Sequence, residues 1–373
     1  MKKSLLALAV LGAFAGVAQA QTSVTIYGSF DAGVRYQNNV NSNGNSKLTM
    51  GSTGTYNSNR LGFKGVEDLG GGLNAHFTLE TGFNSGTGAN ADTSKFFNRS
   101  AFVGLGGQWG SLDLGRQYTV QFKTVGAYDP FNYKFTGIIP TSQASIAAGT
   151  RFDNDIQYTG TFGPITARAE WALGEQPGAA RNGAAQGLGA TYANGPISVG
   201  AAYTRRNANL AVATTAVPNP AADFQDNRDW TVGGAFTFGA ARLAAGYARE
   251  TQDQSVSVGG STTQKNAWFG GSYDITPALG LTAAYYDTRV DGNTNVAARN
   301  INGKRQLLIV GATYALSKRT NFYADVDYAR FKDGLVNASS TITGFNGGGS
   351  QLGLGGNGQS HQVGASVGIN HLF

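Results

Sequence analysis

"VTIYGSFDAGVRY" (residues 24–36) alternates without a break. Val24, Ile26, Gly28, Phe30, Ala32, Val34 and Tyr36 form an apolar or small set, and Thr25, Tyr27, Ser29, Asp31, Gly33 and Arg35 a polar one. A period of two is a strand with two unlike faces. A soluble sheet packs the apolar face on a core and wets the polar face. A membrane barrel inverts this, turning the apolar face to lipid and the polar face to an enclosed lumen.

The stretch before it reads "MKKSLLALAVLGAFAGVAQA" (residues 1–20): Lys2 and Lys3, an apolar run, then Ala18-Gln19-Ala20. This is the pattern of a cleaved export signal, so the mature chain is expected to start at Gln21 and to form one domain over 21–373. No other segment reaches the roughly 20 apolar residues of a spanning helix. Cysteine is absent, which excludes disulfide stapling and thiolate chemistry. Gly is abundant at 55 and Pro scarce at 8, which suits curved strands and tight turns. The formal charge is +6, or +4 without Lys2 and Lys3. The basic residues are dispersed, which argues against a nucleic-acid partner. Mean hydropathy is slightly negative at -0.21, as expected where lipid meets only every second residue.

The two-faced pattern recurs in "RLGFKGVE" (60–67), "LNAHFTLETGF" (73–83), "NRSAFVGL" (98–105) and onward to the terminal "HQVGASVGINHLF". Short links with turn chemistry, such as "DLGGG" (68–72), "GGQWG" (106–110) and "NGP" (194–196), alternate with long polar ones. The long ones cover roughly 37–56, 84–95, 118–150, 175–186, 207–227, 252–264, 290–303 and 332–358. The alternation predicts an all-β fold, a sixteen-stranded antiparallel transmembrane barrel with short periplasmic turns and long extracellular loops. Sixteen strands leave a water-filled bore. Aromatic residues near strand ends fit interfacial girdles.

The motifs "VTIYGSFDAGV", "SNRLGFKGVEDLGGGL", "FFNRSAFVGLGGQWGSLDLGRQY", "RFDNDIQY" and the terminal "GINHLF" resemble, in order and over the whole mature chain, the general porins of Gram-negative bacteria, the β-proteobacterial branch most of all. The resemblance implies a homotrimer in outer-membrane lipid and lipopolysaccharide. In it each subunit passively conducts ions and small hydrophilic solutes through its own pore, narrowed by an inward-folded third loop. It also makes Phe373 a signal to the outer-membrane assembly machinery.

A passive pore works through a field and a cross-section. Parity turns Arg60 and Lys64, Arg99, and Arg35 inward, and places Arg151 on one face with Asp153, Asp155 and Gln157. Arg60 and Arg99 also match the arginines of the porin basic wall. The segment 118–150 carries aromatics and Ile138-Ile139, so it can pack against a wall. Its charges are Lys123, Asp129 and Lys134. Many general porins set several acids here, and this chain keeps only Asp129. A basic wall opposite a nearly neutral loop predicts a preference for anions. The inward acids Glu80, Glu170, Asp325 and Asp327 are expected at the vestibules, where they temper that preference. Arg116 shares parity with Leu112 and Leu114, so it points outward. The resemblance suggests a latch between Arg116 and Asp92 of neighbouring subunits, against lipid-headgroup snorkelling as the plain alternative.

Three histidines and no Ser–base pair speak against an enzyme, and no cofactor or metal is expected. A substrate-specific channel for anionic solutes is the alternative function, with Arg168 and Arg242 extending a basic track. A plugged adhesin barrel would need a filling domain, and none is visible.

Overall fold

The computed structural model describes residues 23–50, 55–139, 150–208, 224–255, 259–295, 300–338 and 355–373. The leader 1–20 lies outside the described residues. In chain order the strands are β1 (Ser23–Gln37), β2 (Lys47–Met50), β3 (Arg60–Gly70), β4 (Leu73–Gly82), β5 (Ser100–Gly107), β6 (Gly110–Tyr118), β7 (Arg151–Phe162), β8 (Ile165–Ala172), β9 (Ala185–Asn194), β10 (Ile197–Asn207), β11 (Phe224–Phe238), β12 (Ala241–Gln254), β13 (Ser261–Asp274), β14 (Leu279–Asn293), β15 (Gly303–Ala315), β16 (Thr320–Asp333) and β17 (His361–Leu372). Helix α1 (Val120–Val125) and a 3-10 turn (Gly126–Tyr128) follow β6, and α2 (Gly334–Asn337) follows β16.

All seventeen strands join one antiparallel sheet, and β1 closes it. One edge of β1 pairs with β17, from Ser29↔Leu372 to Gln37↔Gly364. Its other edge pairs with β3 over Ser23–Ser29 and with the short β2 over Val34–Gln37. Removing β2, which pairs only with β1, leaves a closed barrel of sixteen. Closure leaves no sheet edge to be satisfied in lipid, where an unpaired backbone group costs several kcal/mol. β2 falls inside the polar link 37–56, whose sequence reads as loop; its pairing with β1 gives it its strand form.

The alternation in β1 sorts as the residues dictate. Val24 and Ile26 are each 60% exposed, and Phe30, Val34 and Tyr36 are exposed with them, while Ser29 and Asp31 are fully buried. The same inversion holds in β6, where Leu112 and Leu114 are exposed and Asp113 is buried. No helix among the described residues is long and apolar enough to cross a membrane; the strands make the wall. The last residue completes it. Phe373 exchanges backbone hydrogen bonds with Gly28 (3.0 and 3.2 Å), and its ring occupies the space that a Cβ at position 28 would need. Only glycine at 28 admits that ring.

β7 departs from simple parity. Asn154 adopts φ +55°, and two residues, Asp153 and Asn154, stand opposite Arg116 alone. The extra residue flips the side chains that precede it. Asp153 is therefore exposed while Asp155 is fully buried, so Arg151, Asp153 and Asp155 do not share the face expected from the sequence.

Candidate functional site

An apolar cluster ties the link after β6 to strands β13–β16. It joins Val125, Phe131, Phe135, Ile138 and Ile139, from the link after β6, to Trp268, Tyr286, Leu307, Ile309, Tyr323 and Phe331. Leu307 and Ile309 are fully buried on the inner face of β15, while Leu308 and Val310 on its outer face are exposed. Burying a side chain of this size is worth about 1.5–3 kcal/mol, so a handful holds the segment to the wall.

Polar contacts fix its position. Thr119 caps α1 by accepting from Phe122 N at 3.2 Å, and Glu170 on β8 accepts from Val120 N at 2.8 Å. Tyr128 lends its carbonyl to Trp268 Nε1 (2.9 Å) and its hydroxyl to Ser198 (3.1 Å). Arg242 donates to the Ala127 carbonyl, and Arg305 to that of Ile138 (3.0 Å). Asp129 is fully buried; it accepts from Tyr286 Oη (2.5 Å) and Tyr133 N (2.8 Å). Burial lifts its carboxyl to about 6 against those hydrogen bonds. The one acid of the segment therefore faces the wall and not open space.

Lys123 also turns to the wall, donating to Gln117 (3.1 Å) and Gln157, and burial lowers its basicity. Lys134 differs: its ammonium sits 5.3 Å from the Tyr56 ring centroid. Burial first, then Arg60, push it down to about 8, with Asp31 opposing.

Beside Phe122 and Lys134 lies a chain of basic and acceptor groups. Arg60 Nε is 3.8 Å from Glu80 Oε2, and Arg99 Nε is 2.5 Å from Glu80 Oε1. Tyr27 Oη donates to Glu80 Oε2 at 3.0 Å. Tyr118 Oη accepts from Arg99 and from Arg151, each at 2.6 Å, and its ring stacks on Phe122 at 4.5 Å. Phe122 stacks in turn on Tyr133 at 4.1 Å. Lys64 stands 5.5 Å from the Tyr27 ring. Arg60 and Arg99 thus meet at Glu80, Arg151 meets Arg99 at the Tyr118 hydroxyl, and Lys64 stands by Tyr27. Glu80 belongs among them and not to a vestibule, and Tyr118, which the sequence reading passed over, connects two of them. Its position directly after "GRQ" at the end of β6 was the available signal.

Arg35 does not join this group. It makes a two-pronged contact with Asp327 (2.7 and 3.1 Å), approaches Asp325 at 3.7 Å and donates to Ser366 (3.1 Å). The guanidinium crosses β17 over Gly364, where a Cβ would collide with Arg35 Nη2. Asp325 and Asp327, expected at a vestibule, are the partners that neutralise it. Arg116 binds Asp153 and the Asn98 carbonyl (2.7 Å), and Asp153 also holds Lys95 at 2.9 Å. Asp92 accepts from Ser94 N and Oγ instead. Within one chain, Asp92 and Arg116 are not paired.

Residues 7–334 match the family model described as Gram-negative porin. An outer membrane porin protein of Bordetella pertussis is 34% identical, over 92% of this chain and 98% of that protein. Outer membrane porin protein 32 of Delftia acidovorans is 34% identical over the full length of both. Among solved structures, the anion-selective porin from Comamonas acidovorans superposes with a TM-score of 0.72 at 26% identity, covering 95% of this chain and all of that one. A closed sixteen-stranded barrel, a polar lumen face and this kinship agree: the chain belongs to the Gram-negative porin family, whose members are outer-membrane channels for passive solute diffusion and not enzymes.

Proposed function

We propose that this porin is a general diffusion channel that prefers anions, with its constriction between an inward-folded third loop and the wall formed by Arg60, Lys64, Arg99 and Arg151. One observation carries the reading. Arg60 and Arg99 share one carboxylate, Glu80, Arg151 joins Arg99 through the Tyr118 hydroxyl, Lys64 stands by Tyr27 and Lys134 by Tyr56, while Asp129 is turned away and buried. In a narrow channel with low-dielectric walls such an excess concentrates anions. The selectivity named for the Comamonas acidovorans porin agrees with this sign.

The arrangement also fits further roles. The links 71–72, 108–109, 163–164, 195–196, 239–240, 275–278 and 316–319 form the periplasmic end and the long links face outward. Assembly is as a homotrimer, in which an Asp92–Arg116 pair between subunits competes with the Arg116–Asp153 contact. Phe373, seated on Gly28 in the finished barrel, serves beforehand as the signal to the assembly machinery.

The test is single-channel recording in a planar bilayer under a KCl gradient. Stepwise conductance with a reversal potential on the chloride side is the expected result; reversal on the potassium side refutes the anion preference. A second reading, a channel specific for an anionic solute, is favoured by the shared Tyr118 acceptor, which fixes two guanidinium groups side by side. Saturable block of chloride current by one organic anion and not by others of equal size would favour it.

A further inference from the structure

On the buried face of β11, Asp229 stands directly opposite Glu250 of β12 on one side and Thr204 of β10 on the other. The two carboxylates are 1% and 4% exposed. Helix α1 packs against β9, β10 and β11 and brings Gln121, which is fully buried, up to Asp229. Like charges directly opposite one another weaken an antiparallel pair. Burial adds to the cost, because a buried charge needs a counter-charge or a metal. Sheet pairing alone gives no reason to set two acids here. Other buried acids of the wall have their cations: Glu80 has Arg99 at 2.5 Å, and Asp327 has Arg35 at 2.7 Å. Asp229 forms no ion pair among the described residues. Arg206, the basic side chain nearest to it in register, stands opposite Asn227 and lines a hollow with Lys95, Arg116 and Arg151.

Neutral donors do not replace the missing cation. Both Asp229 oxygens, both amide atoms of Gln121 and the Thr204 hydroxyl are buried and outside hydrogen-bonding geometry with any group. Gln121 thus approaches Asp229 without bonding it. Asn227 Nδ2 donates to Glu250 Oε1 at 2.8 Å and holds that carboxylate in place. Side chains from α1, β10 and β11 therefore present buried oxygens to one another with no proton between them. A proton shared by the two acids would relieve their repulsion and leave Gln121 and Thr204 unexplained. A cation uses all four side chains. The atoms on offer say which kind. The chain has no cysteine, and among the described residues no three acids or histidines converge, so amide and hydroxyl oxygens must complete the shell. Carboxylate, amide and hydroxyl oxygens suit a hard cation. Magnesium gives up its water reluctantly and demands a rigid octahedron, whereas calcium accepts an irregular cage of roughly six to eight oxygens.

We propose that Asp229 and Glu250, with Gln121 and Thr204, form a calcium site between α1 and the wall of the barrel. Its two positive charges match the two carboxylates, and it ties the helix to β10, β11 and β12 through the side chain of Gln121. The site concerns how α1 is held and is independent of which solute the channel prefers.

The experiment uses porin refolded from denaturant into uncharged detergent, free of anionic lipid that would itself take up divalent cations. Calorimetric titration with calcium chloride in chelator-free buffer is expected to show one site per chain. Calcium in excess over EDTA is expected to raise the thermal midpoint, and magnesium at the same concentration to raise it less. D229N is expected to abolish the response to calcium. In EDTA the D229N chain is expected to melt no lower than wild type, because it no longer buries an unpaired charge. Q121M keeps both carboxylates and is expected to weaken calcium binding on the order of tenfold, since ligand number and charge tune such sites over decades. It also serves if D229N does not fold. D287N/D291N, which removes two acids from the other face of β14, is expected to bind as wild type. Absence of calcium binding by wild type, undiminished binding by D229N and Q121M, or magnesium bound as tightly as calcium overturns the proposal. A wild type indifferent to calcium, with D229N more stable than it in EDTA, would assign the pair to a shared proton instead.

Discussion

The Tyr286 hydroxyl on β14 donates a 2.5 Å hydrogen bond to the carboxylate of Asp129, linking the wall of the barrel to the segment between β6 and β7. Both groups are fully buried. Replacing Tyr286 by Phe leaves a buried carboxylate short of a donor, a loss of about 1–3 kcal/mol. Y286F is expected to lower the urea midpoint of the folded porin and to raise open-channel current noise, as the tethered segment loosens. Asp129 titrates at about 6, above the ordinary carboxyl value. The native state thus holds more protons than the unfolded one between roughly pH 4 and 6, and this group's contribution falls as pH rises through that window. The Y286F penalty is expected to shrink at pH 5, where Asp129 is protonated; equal penalties at pH 5 and 7.5 would show that the hydrogen bond does not act through the carboxylate.

Glu80 is the single carboxylate between Arg60 and Arg99. E80Q removes one negative charge from the basic wall while keeping an acceptor for Tyr27 and Arg99. The chloride-side reversal potential is expected to increase. R99Q is expected to move it the other way, and a shift in the same direction for both variants would refute a field set by these groups.

Lys134, held down to about 8, carries its charge at neutral pH and loses it in mild alkali. Anion preference is expected to decline as pH rises from 7 to 9, and K134Q is expected to abolish that step. An unfolded lysine keeps its proton to about pH 10.4. Between those values the unfolded chain binds more protons, so the titration that weakens selectivity adds to stability. A selectivity unchanged over this range in the wild type would place Lys134 away from the ion path.

Arg35 is a structural ion-pair partner. Its side chain is 13% exposed, and those of Asp325 and Asp327 are 0% and 4% exposed. Removing one partner of a buried pair leaves uncompensated charge and costs roughly 3–5 kcal/mol. R35A is expected to destabilise the barrel strongly in urea, with D325N/D327N in the R35A background recovering much of the loss. Full stability of R35A would refute the pairing.

Local alternation was enough to specify the barrel. Strict alternation, such as Val24 to Tyr36, leaves a strand one face for lipid and one for the lumen, because side chains on a strand have a period of two. The sixteen strands and the inward basic residues Arg60 and Lys64 were legible in this local pattern, and the family in the motifs it resembles. The rest required partners distant in sequence. Leu307 and Ile309 are apolar where β15 would otherwise be polar because residues 131–139 pack against them, so β15 reads as apolar on both sides. Asp129 reads as an open acid of the link after β6 by sequence; only the fold buries it under Tyr286. Arg35 counts as a wall arginine until β16, nearly 300 residues later, brings Asp325 and Asp327 beside it. At Asn154 one added residue reverses the parity on which the placement of Arg151 and Asp153 relied. Periodicity assigns a side chain to a face, whereas charge compensation depends on which faces closure brings within a few ångströms, and only the folded barrel decides that.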